Sequence, residues 1–64
     1  MRQEEARNAI VGEWQALPEH ERMTEGQAAR FAMAIQYRYD FRSRGDRYQI
    51  IKGWLLNRLA RPAK

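Results

Sequence analysis

Cysteine is absent from this 64-residue chain, and histidine, serine and threonine occur once each, as His20, Ser43 and Thr24. No disulfide can hold the fold together. A lone histidine without paired-ligand spacing offers no metal site, so neither metal nor cofactor is expected. Nucleophilic chemistry needs an activated Ser, Cys or Thr beside a base. Thr24 reads as a helix cap, Ser43 lies in a turn among arginines, and His20 stands between Glu19 and Glu21 in a separate connection. No catalytic group assembles from these, and the chain is expected not to be an enzyme. Gly12, Gly26, Gly45 and Gly53 are isolated, which excludes a glycine-rich phosphate loop.

Long apolar runs are also missing. The longest is FAMAI, far short of a membrane span. The opening MRQEEAR has no apolar stretch of the kind a secretion signal carries. A soluble, cytoplasmic protein with no membrane contact is the expectation. A chain of this length has one domain, residues 1–64, whose core supplies only about 3–5 kcal/mol before it needs a staple. Without disulfide or metal, tight helix packing or a second subunit remains.

What is present has helical periodicity. Ala6, Ile10, Trp14 and Leu17, with Ala9 beside them, form one stripe of a helix over about 3–17, with Glu4 and Glu5 in its first turn and Pro18 as its stop. Residues 18–23 connect it, with room for one helical turn. A second helix over about 24–41 opens on a capping box, Thr24 with Gln27, and turns Ala28, Phe31, Ala32, Ile35 and Tyr39 inward. On its opposite side fall Arg30, Met33 and Tyr37. Either the first helix wraps far enough to cover them, or they form a protein interface. A third helix over about 46–60 is capped by Asp46 with Gln49. Tyr48, Ile51, Leu55 and Leu59 make its stripe, and Ile50 and Trp54 widen it to leave only Gln49, Gly53 and Asn57 outside. Such a wide arc predicts the central helix and a largely buried Trp54. Gly53 costs about 1 kcal/mol relative to alanine unless another backbone approaches it closely. Residues 61–64 form a tail. The fold class is all-α, a small three-helix bundle, with homodimerisation as one way to complete it.

Charge is unevenly spread. Residues 1–25 carry three arginines against six glutamates, and residues 26–64 carry nine cations against two aspartates. Ten of the twelve cations are arginine, suited to bidentate contact with phosphate or carboxylate. The stretch YRYDFRSRGDRY, residues 37–48, concentrates Arg38, Arg42, Arg44 and Arg47 beside Tyr37. Arginine neutralises phosphate and aromatic rings stack on bases, so these five residues are the candidate contacts to nucleic acid, DNA or RNA. The alternative is a protein-interaction module or dimeric regulator in which Arg30, Met33 and Tyr37 pair with a second copy of the chain or with a target protein, an acidic one, while the basic corner tunes specificity; a homodimer is expected. A bland basic turn is the third reading. A helix-turn-helix is weakly supported, because the connection from Tyr39 to Asp46 exceeds the usual three or four residues. Arg44-Gly45-Asp46 spells an adhesion tripeptide, but a turn glycine followed by a helix cap explains it.

Overall fold

Ala6, Ile10 and Trp14 recur every fourth residue, and in the computed structural model, which describes residues 1–60, they are the fully buried stripe of helix α1, Gln3–Gln15. A 3-10 turn, Glu19–Glu21, follows Pro18. Helix α2 spans Glu25–Ile35 and helix α3 spans Arg47–Leu56. No strand is present among the described residues. The expected tail at 61–64 lies outside them.

The helix starts follow their capping residues. Thr24 Oγ1 accepts from the Gln27 amide at 3.1 Å, while Gln27 Oε1 accepts from the Thr24 and Met23 amides and Gln27 Nε2 donates to the His20 carbonyl. One side chain thus fixes both the start of α2 and the turn before it. Asp46 caps α3 by accepting from the Tyr48 amide at 2.9 Å, but Gln49 stays exposed and makes no reciprocal bond.

α3 is central, packing against both α1 and α2. Ile51 and Leu55 are fully buried, and its exposed positions are Gln49, Gly53 and Asn57. α1 and α2 meet edge to face through Trp14 and Phe31, whose ring centroids lie 5.3 Å apart. Trp14 also donates its indole N–H to the Arg58 carbonyl at 3.1 Å, and the Ala60 amide donates to the Arg22 carbonyl at 2.8 Å. These two bonds fasten the end of the α3 segment to α1 and the connection behind it.

The expected helix ends need correction. α2 ends at Ile35, well short of Phe41, and α3 at Leu56. Trp54 packs against the core with part of its surface left accessible, and the tryptophan fully enclosed by the core is Trp14. No backbone approaches Gly53, since a methyl group built there meets nothing within 4 Å. No helix among the described residues is long and apolar enough to cross a membrane.

Candidate nucleic-acid interface

Beyond Ile35 the chain makes a turn, with the Arg38 amide donating to the Ile35 carbonyl, and then runs without regular structure to Asp46. From Tyr39 to Arg44 its side chains alternate between inside and outside, as those of an extended backbone do. Phe41 is only 3% exposed and Tyr39 and Ser43 are half-buried, whereas Asp40, Arg42 and Arg44 are exposed. Phe41 is the anchor of this ribbon. Its ring packs on Trp54 of α3 with centroids 5.6 Å apart. A helix continuing through Phe41 would forgo this alternation, which is why the buried aromatic ends α2 early.

Two of the four arginines are spent on holding the ribbon. Arg47 Nη1 donates to the carbonyls of Gln36 (3.2 Å) and Tyr39 (3.1 Å), Nη2 reaches Asp40, and the guanidinium lies 5.4 Å from the centroid of Phe41. Arg47 therefore supplies donors to carbonyls that the end of α2 leaves without helical partners. Arg38 Nη1 pairs with Glu13 Oε1 of α1 at 3.0 Å, and the Tyr39 hydroxyl donates to the other oxygen of the same carboxylate. That hydrogen bond, with partial withdrawal from water and the Glu13 charge, holds the Tyr39 pKa above the usual tyrosine value, the charge of Arg38 opposing.

Arg42 and Arg44 remain. Both are exposed, and neither has an ion-pair or side-chain hydrogen-bond partner among the described residues. With Gln3, Ser43, Gly45 and Ile50 they surround an open depression of about 890 Å³. Gln3 also borders a smaller depression, about 270 Å³, lined by Glu4, Arg7 and Trp54. The two are contiguous through Gln3, so the first turns of α1, the ribbon and the middle of α3 form one face. It carries Arg7, Arg42 and Arg44 with the partly buried Ile50 and Trp54 and with Glu4, and on its other side Arg42 shares a third depression, about 440 Å³, with Arg2, Glu5 and Asp40. Sequence alone could not place Gln3, Arg7, Ile50 or Trp54 here, because nothing in it says which end of α1 lies beside the ribbon.

The other expected residues lie apart from this face. Tyr37 is 82% exposed just past the end of α2, and Met33 is 53% exposed, so α1 does not wrap over them. Arg30 and Met33 line an apolar depression of about 330 Å³ with Ala29, Ala34 and Tyr48. His20 is exposed in the 3-10 turn. Comparison with protein-family models, with curated proteins and with solved structures gives no match.

Proposed function

We propose that this chain is a small non-enzymatic nucleic-acid-binding protein that contacts phosphates through Arg42 and Arg44. The observation that carries this reading is that Arg42 and Arg44 are exposed on a ribbon pinned beneath by Phe41, beside a depression and without an ion pair among the described residues. Pinned cations lose less freedom on binding than cations on a floppy loop, and arginine suits phosphate oxygens geometrically. Arg7 adds charge to the same face. Arg38 and Arg47, already engaged within the fold, contribute to the local field and to the placement of the ribbon rather than to direct contact.

The test is a titration with generic duplex DNA and single-stranded RNA at two salt concentrations. Replacing Arg42 and Arg44 together by glutamine weakens binding across all sequences and flattens the log–log salt dependence by roughly two units. Unchanged affinity and slope in that variant overturns the reading.

The exposure of Met33 and Tyr37 favours a second reading, in which the outer side of α2 pairs with a second copy of the chain. The arrangement suits a core too small to be generous, since a dimer buries Met33 and doubles the basic surface. Met33→Glu then converts a dimer to a monomer with its helix content intact. A monomer for the unmodified chain at high concentration in sedimentation removes the second copy and leaves an acidic protein partner as the occupant to seek.

A further inference from the structure

We infer that the face formed by α1, the ribbon and α3 takes single-stranded nucleic acid, with a base against Trp54 and the adjoining phosphates at Arg42 and Arg44. This rests on the reading that those arginines meet phosphate, and it adds which form of nucleic acid they meet.

No helix of this protein is equipped to read a duplex groove. α3 exposes only Gln49, Gly53 and Asn57, and Asn57 Nδ2 already donates to the Gly53 carbonyl at 3.3 Å. α2 has committed Gln27 to its cap and Gln36 to the Met33 carbonyl, which leaves Arg30 beside the apolar Met33 and Ala34. The first turn of α1 exposes Glu4 and Glu5, whose carboxylates repel phosphates on both walls of a groove. A groove-reading helix needs polar side chains for base edges and cations for the flanking backbones; α1 alone exposes both, Gln3 and Asn8 with Arg7, and there Glu4 and Glu5 of the same turns oppose the phosphates.

An extended ribbon with outward arginines beside a partly open indole is instead the composition of a single-strand site. Phe41 backs the Trp54 ring at 5.6 Å, so the indole is braced from within the fold, while its accessible part borders the depression with Gln3, Glu4 and Arg7. Arg42 follows Phe41 directly in the chain, which keeps a cation close to the stacking position. Glu4 divides the labour. Its carboxylate disfavours phosphate beside the indole and leaves that place to a base, whereas the depression that Arg42 and Arg44 share has no carboxylate in its lining, Glu5 and Asp40 standing round a separate one on the other side of Arg42. Ile50, half-buried between the two, offers apolar contact to a sugar or base.

The experiment compares oligo(dT) and oligo(U) of about 8–12 nucleotides, within the range of single-strand site sizes, with a DNA duplex of the same length. Affinity is measured by anisotropy, and the two indole N–H resonances are followed by NMR on the unmodified chain. Trp14 is the internal control, being fully buried with its N–H bonded to the Arg58 carbonyl. The expected result is binding of single strands roughly tenfold tighter than the duplex, about the contribution of one base–aromatic stack, with the Trp54 resonance moving and that of Trp14 still. Trp54→Leu, where it stays folded by circular dichroism, should erase the preference. Duplex binding as tight as single-strand binding, or a stationary Trp54 resonance under saturating oligonucleotide, overturns the inference. If salt-sensitive duplex binding then still depends on Arg42 and Arg44, the phosphate reading survives alone. No binding of either form defeats both.

Discussion

Replacing Arg47 by methionine separates an arginine that builds the fold from arginines that await a ligand. Methionine keeps an unbranched apolar stem and good helix propensity at the first position of α3, so the change removes the guanidinium and little else. Its Nη1 bonds to the Gln36 and Tyr39 carbonyls, at 3.2 and 3.1 Å, are longish and share one nitrogen; each contributes about 1 kcal/mol net. The contact with the Phe41 ring adds about 0.5–1 kcal/mol at a half-exposed position. The pair with Asp40 adds almost nothing, because the Asp40 side chain is 99% exposed. The total is about 2–3 kcal/mol, a large fraction of the roughly 3–5 kcal/mol that a core of this size provides. Urea unfolding followed by circular dichroism should therefore show the Arg47→Met midpoint falling by roughly 40% or more at unchanged slope. Arg42→Gln with Arg44→Gln should stay within about 0.5 kcal/mol per site of the parent, since neither holds anything. An Arg47→Met variant as stable as the parent, or an equal loss in the double variant, would sink the assignment of Arg47 as the clamp of the ribbon.

Gly53→Ala should stabilise the protein by about 1 kcal/mol, read as a raised midpoint, because the glycine is exposed in a helix interior with nothing within 4 Å of the added methyl; a destabilised variant would mean that a neighbour approaches after all. Tyr39 makes stability sensitive to alkali. Its folded pKa is raised from 10.0, so the folded chain keeps this proton when the unfolded chain has lost it, and the contribution is complete below about pH 10 and fades as pH rises through the folded value. The difference in unfolding free energy between the parent and Tyr39→Phe should accordingly be flat from neutral pH to about 9 and shrink above 10, and a difference that grows with alkali would refute the sign.

The helices were legible because their signals are local. A four-residue apolar spacing marked the buried stripe of α1, and a Thr–Gln pair marked the start of α2 to the residue. The centrality of α3 was legible too, since an apolar arc that wide exceeds what one neighbouring helix covers. The ribbon was harder. Its alternation is written in YDFRSR, with Tyr39, Phe41 and Ser43 turned in and Asp40, Arg42 and Arg44 turned out. Helical spacing from Ala28 through Ile35 continues onto Tyr39 with equal ease, however, and the two periods overlap there. The tie is broken by Phe41 and Trp54 meeting in space, a contact between distant parts of the chain that no local pattern records. The same long-range fact explains Trp54. Phe41 and the start of α1 border it, so Trp54 packs against the edge of the core, while Trp14 is enclosed by it.

Ending α2 at Ile35 also decides what each arginine can do. On a helix running through Phe41, Arg38 and Arg42 would sit one turn apart on a common face and compete for the same carboxylate. The break separates them. Arg38, still in the turn, meets Glu13 of α1, and Arg42, on the ribbon, is carried beyond reach of that pair. Arg47 begins the next helix and can turn back on the carbonyls that the break exposes. The acidic first part of the chain thus pairs with two cations of the basic remainder, Arg38 through Glu13 and Lys52 through Glu25, backbone oxygen satisfies Arg47, and Arg42 and Arg44 are left exposed. An electrostatic surface of this kind needs no large net charge, only an anchor that holds its cations out of ion pairs. Phe41 is that anchor, and the loss of its side chain should release the ribbon and the binding face together.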